Sequence, residues 1–253
     1  MHLFLPLFAA IIYVVAALLL KRASDLGADV WRSTRIINYT QALMAVPFWL
    51  LGGTIPSSSL WWQPVIAGLL FFAGQVFTLL ALTTGDVSVA TPVLGLKIVL
   101  AALGAAAYAS FDVLVQKFSP VWGTGRFLPL AMACGAAYSL ALPTGRHSVR
   151  SADLQVGHHP ESRPYAPWLA GGAMCFAVQG LMFMSAVSIY RQVTSANVLY
   201  SSRGLWSVVG VWAVGHWFTN REQHLGARVL VWRFIGAILL LAAIVMVLLN
   251  QST

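Results

Sequence analysis

The sequence predicts an all-α fold: a polytopic membrane helix bundle of about eight transmembrane helices, an inverted-repeat architecture with an incomplete first repeat. Three observations carry this expectation. Of 253 residues, 59% are hydrophobic and only 9% charged, with a mean hydropathy of +0.78, whereas a soluble domain carries roughly 25% charged residues. The apolar residues fall in runs of about twenty, the length that crosses a hydrocarbon core of about 30 Å. Segments of the two halves also match each other in the same order.

By run length the spans are 3–20, 36–53, 63–83, 87–116, 127–143, 167–189, 194–217 and 228–249. They must be helical, since a transmembrane barrel needs alternating strands and these runs do not alternate. Span 3–20 is too long for a secretory h-region and is followed at once by Lys21-Arg22, so it reads as retained. Trp31, Trp61, Trp62, Trp122, Trp168, Trp217 and Trp232 fall near span ends, as interfacial belts require. Glycines within the spans let helices approach closely. Most connections are short. The exception, 144–166, is rich in Pro, Ser and His and reads as an exposed loop. Its His147, His158 and His159 lack metal-ligand spacing.

The net charge of +8 comes mostly from Lys and Arg in short loops. That pattern serves topology and lipid headgroups, and no basic arm is available to track a nucleic acid. Cys134 and Cys175 both lie in apolar runs and form neither a disulfide framework nor a CxxC motif.

The repeat rests on four matches. Tyr13 precedes a segment ending Lys21-Arg-Ala-Ser24, and Tyr108 one ending Gln116-Lys-Phe-Ser119. Trp31-Arg-Ser-Thr-Arg35 corresponds to Trp122-Gly-Thr-Gly-Arg126. Phe72-Ala-Gly-Gln75 corresponds to Phe176-Ala-Val-Gln179. Val87-Ser-Val-Ala90 leads to Lys97 as Val193-Thr-Ser-Ala196 leads to Arg203, with the same spacing. The chain therefore divides into a first, incomplete repeat at 1–100 and a second at 101–253. After Lys97 the next copy begins almost immediately. Residues 87–116 read as a fusion of the start of a fourth span with the body of a first-type span, about 45 Å long as helix. In two five-span units of opposite orientation those two spans cross in the same direction, so the splice preserves the orientation of everything downstream.

These residues resemble the drug/metabolite transporter superfamily, specifically its ten-span EamA-type members built from two five-span repeats. The segment Gln179 through Ala196 and the turn Asn220-Arg-Glu222 followed by Trp232-Arg-Phe-Ile-Gly-Ala237 carry the resemblance most closely. Asn220 stands where the family has Gly, and about two spans are missing. The resemblance implies a solute cavity between the repeats and both termini in the cytoplasm. The Lys and Arg of the loops after spans one, five and seven place those loops inside instead.

Lys97 and Arg203 are the candidate substrate-pathway cations. An insertion cost of about 2.5–3.5 kcal/mol for each is offset by the surrounding Leu, Val and Ile, so either one can snorkel or face a wet cavity that draws in an anionic or carboxylate-bearing solute. Around Arg203 the helical neighbours are Tyr200, Trp206 and Ser207, with Asn197 on an adjacent stripe, a setting suited to planar or amphipathic metabolites. Gln75 and Gln179 either bond the substrate or glue helices together. Tyr13 and Tyr108 are pathway candidates with packing as the alternative. Asp112 is a proton or counter-ion candidate, or else half of an interfacial pair with Lys117.

The reading is a secondary transporter or exporter of small organic metabolites in the plasma (inner) membrane. The alternative is a transport-inactive scaffold left by an internal deletion. The sequence holds no HExxH, no GxSxG and no Walker loop, so no enzymatic activity, cofactor or metal is expected. The partners are a small-molecule substrate and the lipid bilayer, with a second copy of the chain as a candidate.

Overall fold

The computed structural model describes residues 4–83, 91–142 and 164–214, with Leu239, Ala242 and Met246. No strand occurs among the described residues. Helix α1 spans Phe4–Asp25, closes with a Lys21–Asp25 ion pair of 3.0 Å and stops at Gly27, whose φ of +94° suits only glycine. Asp29 then caps α2 (Val30–Ala45), its carboxylate accepting from the Arg32 N–H at 3.1 Å. The predicted span 36–53 is thus shifted. It starts six residues earlier, and Pro47 converts its end into a 3₁₀ turn, Val46–Leu51.

Helix α3 runs Trp62–Thr83 and α4 runs Thr91–Trp122. At 32 residues, or about 48 Å, α4 is a single long helix where the sequence predicts a fusion. It passes through Pro92, Gly95 and Gly104 without interruption. Gly123 turns the chain with φ +79° into α5 (Thr124–Leu140). Helix α6 (Ala166–Tyr190) ends where Arg191 adopts the left-handed conformation, φ +55°, its N–H returning to the Val187 carbonyl at 3.0 Å.

The predicted span 194–217 is broken. It becomes α7 (Val193–Ser201) and α8 (Arg203–Val214), separated at Ser202. The Ser201 hydroxyl bonds the Val198 carbonyl at 2.6 Å and the Ser202 N–H reaches only three residues back, to Leu199, at 3.1 Å. Hydroxyls that bond back into the ladder in this way bend helices. Of the predicted span 228–249 only Leu239, Ala242 and Met246 are described, each helical and exposed, and the histidines of the 144–166 loop lie outside the described residues.

Four helical segments among the described residues are long and apolar enough to cross a membrane: Phe4–Asp25, Ser58–Ala81, Val99–Trp122 and Ala166–Tyr190. Helices α2 and α5, with 16 and 17 residues, are shorter than these. The distribution of polarity suits a bilayer. Leu50 and Leu43 stand 90% and 72% exposed while Asn38, Gln41, Gln75 and Gln179 are buried. Apolar side chains face out and amides face in, the reverse of a water-soluble bundle.

The most extensive packing is α1 along α6 and α3 along α4. Next come α3 on α5 and α2 on α6, with α2 on α5 closing the middle. Gly172 lets α1 approach α6 closely: a Cβ there would stand 2.9 Å from Leu20 Cγ. One apolar cluster centres on Phe71, Phe111, Trp122, Phe127 and Met132. Trp122, expected in an interfacial belt, is fully buried, its indole N–H bonded to Gln63 Oε1 at 2.8 Å. Burial is tolerable because that one polar atom is satisfied. Trp61 and Trp62 remain exposed, as a belt requires.

Candidate functional site

The break at Ser202 sets Arg203 as the first residue of α8, and the turn keeps it over the last residues of α7. Its guanidinium carbon lies 4.7 Å from the centroid of the Tyr200 ring and 4.9 Å from that of Tyr13, which α1 brings in from across the bundle. The two rings meet edge to face at 6.0 Å. Phe183 stacks on Tyr200 at 4.6 Å and Phe176 backs Tyr13 at 6.1 Å. Cation–ring contact of this kind contributes about 0.5–2 kcal/mol, more as water is excluded. The Tyr200 hydroxyl donates to Gln179 Oε1 on α6 at 2.8 Å, which fixes the ring's tilt.

Asp112 lies beside this group, 6% exposed on α4, with its Oδ2 accepting from Asn197 Nδ2 on α7 at 3.0 Å. The interfacial pair with Lys117 is not formed. Five helical residues turn a side chain through about 500°, so Lys117 points about 140° away. It is exposed beside the Phe118 ring. One turn beyond Asp112, Gln116 Nε2 donates to the Arg191 carbonyl at the α6–α7 junction. Two hydrogen bonds from one face of α4 thus hold the start of α7. Asp112 and Arg203 feel each other's charge without forming an ion pair.

Tyr108, one turn before Asp112 on α4, lies within the range of charge interaction with Tyr13, Tyr200, Arg203 and Asp112. Its ring packs on Phe71 at 5.7 Å, and a Cβ at Gly74 would meet it at 3.0 Å. Its hydroxyl is buried without a hydrogen-bond partner among the described residues. Gln75 is fully buried and both its amide atoms are likewise unpartnered there. Such groups cost about 1–3 kcal/mol each when left dry.

Of the sequence candidates, the structure brings Tyr13, Tyr108, Asp112, Gln179, Asn197, Tyr200 and Arg203 into one group. No hydrogen bond ties Gln75 to it among the described residues. Lys97 has helical backbone in α4, but its side chain lies outside the described residues. Sequence reasoning missed Phe183, Gln116 and Gln41. The signal for Gln116 was its place four residues after Asp112, on the same helix face. Gln41, mid-helix in α2 and 1% exposed, has no partner for either amide atom among the described residues. No three His, Cys, Asp or Glu side chains gather into a metal-binding group among the described residues.

No family model, no curated protein and no solved structure matches this chain.

Proposed function

We propose that the chain is a secondary transporter or exporter of small organic metabolites in the plasma (inner) membrane, with about eight spans and a solute path between two helical repeats. The observation that carries this reading is the half-buried Arg203 guanidinium, set in the corner formed by two tyrosine rings with no ion-pair partner among the described residues. A purely structural cation in hydrocarbon is expected to pair or to snorkel. This one is held by two ring faces and a hydrogen bond with Tyr200, which leaves the rest of its five N–H groups for a carboxylate. It also stands at the N-terminal end of a helix, where a cation is disfavoured and an anion is favoured by about 0.3–1 kcal/mol.

The packing supports the repeat. Exchanging α1 with the C-terminal part of α4, α2 with α5 and α3 with α6 turns the α1/α6 contact into α4/α3 and the α2/α6 contact into α5/α3, and leaves α2/α5 in place. The strongest contacts therefore come in exchange-related pairs. This is the pattern expected of the EamA-type kinship that the sequence suggests. It also supports a central path at the α2/α5 seam of the kind inverted-repeat carriers use.

Counterflow in proteoliposomes tests the reading. Flux of a labelled organic anion that Arg203→Ala reduces at least about tenfold, with the protein still monodisperse, is the expected result. A folded protein that moves no solute would favour the scaffold alternative.

A further inference from the structure

Asp112, buried, and Arg203, half-buried, are groups of opposite sign gathered into one polar cluster, yet no ion pair joins them. Asp112 faces Tyr108 from its own helix, Asn197 and Tyr200 from α7, and Arg203 from α8. Helix α3, packed along α4, has no ionisable side chain at all. The ionisable groups of α5 are Arg126, over the Trp49 ring, with Cys134 and Tyr138; those of α6 are Cys175 and Tyr190. Arg191 beyond α6 is exposed and meets Gln116 through its carbonyl. With Asp112 ionised, the immediate group carries one positive and one negative charge and is neutral as a whole.

A carboxylate solute at Arg203 would leave the group with a net negative charge in a low-dielectric setting, where like charges repel strongly. Asn197 donates to Oδ2 of Asp112, and among the described residues no hydrogen bond is made to Oδ1, the oxygen that would take the proton. We propose that Asp112 is a proton-binding site coupled to the Arg203 anion site, so that a carboxylate-bearing solute is taken up together with one proton. The inference rests on the transport reading above and names its coupling ion. The group stays neutral through the cycle: solute carboxylate and proton enter together and leave together, with no covalent step. Because the two binding events are linked, solute affinity falls as pH rises through the range in which Asp112 must acquire its proton.

The test uses the full-length protein in nanodiscs with benzoate as a planar carboxylate probe. Calorimetry in buffers of different ionisation heat counts protons taken up on binding. Over a series of about pH 5–9, uptake should reach about one proton per benzoate in the wild type and about zero in Asp112→Asn, which still binds. Arg203→Ala should lose binding throughout. Benzoate-induced infrared difference spectra of the wild type should show a new protonated-carboxyl band, a readout that does not depend on any variant folding. Benzoate bound with no proton uptake and no such band overturns the coupling while leaving the anion site standing, as does full uptake in Asp112→Asn. Absence of benzoate binding in the wild type, or undiminished binding in Arg203→Ala, overturns the anion site itself and the coupling with it.

Discussion

Tyr13 and Tyr108 match in the repeat that the sequence suggests but do different work in the fold. Tyr13 forms one wall of a cation box with Tyr200, each ring within 5 Å of Arg203. Tyr108 packs on Phe71 beside Gln75, and its hydroxyl and both amide atoms of Gln75 lack partners among the described residues. The difference follows from connectivity. Arg203 begins its own short helix after the break at Ser202, so three separate helices converge on it. Lys97 lies on the same unbroken helix as Tyr108, eleven residues earlier, a rise of about 16 Å. The two tyrosines differ because Arg203 starts a separate short helix, whereas Lys97 and Tyr108 share one.

The largest effect is expected from removing the charges one at a time. Arg203→Ala should reduce carboxylate binding at least about tenfold, while Lys97→Ala should change it less than about threefold, both read by benzoate calorimetry. Equal losses would restore a symmetric two-cation pathway. Next comes the ring face: Tyr13→Leu should weaken binding about three- to tenfold by loosening the guanidinium, whereas Tyr108→Leu should leave it nearly unchanged.

The glutamines should separate by sign. Gln179→Leu leaves the Tyr200 hydroxyl unpaired and should cost about 1 kcal/mol of stability. Gln75→Leu removes two unpartnered polar atoms and should be neutral or stabilising by about 1 kcal/mol. Thermal unfolding in nanodiscs reads both. A destabilising Gln75→Leu with loss of flux would place Gln75 on the solute path after all. The smallest effect is expected from Gln116→Leu, which frees the Arg191 carbonyl at a helix end that water can reach, about 0.5 kcal/mol.

Much of the helical framework was legible, for a simple reason. Runs of apolar residues near twenty in number mark spans whatever their neighbours, so α1, α3 and α6 fall within a few residues of expectation. The shift of α2 was partly readable in Asp29 and Pro47, a cap and a breaker. The break at Ser202 was not, since serine hydroxyls disturb a helix without altering its hydrophobic period. The group around Arg203 was visible where it is local, as with Tyr200 three residues away. Of its long-range members, Tyr13, Tyr108 and Gln179 were found through the repeat, and Asp112 as an acid within an apolar run. The misjudged partner of Asp112 is instructive. Lys117 is close in sequence but on another face, while Asn197, 85 residues away, is the residue that meets it. Gln41 and Phe183 were hidden because a lone amide or ring in an apolar helix carries no mark of what it faces.

The account turns on whether the Arg203 group borders water. With Cys134 and Cys175 replaced by serine, Asn197→Cys in liposomes should react with a small hydrophilic thiol reagent, and benzoate should slow that reaction. Unreactive thiol at that position, beside a reactive control in the Thr54–Ser57 connection, would show the group sealed in a dry interior and contradict the carrier reading.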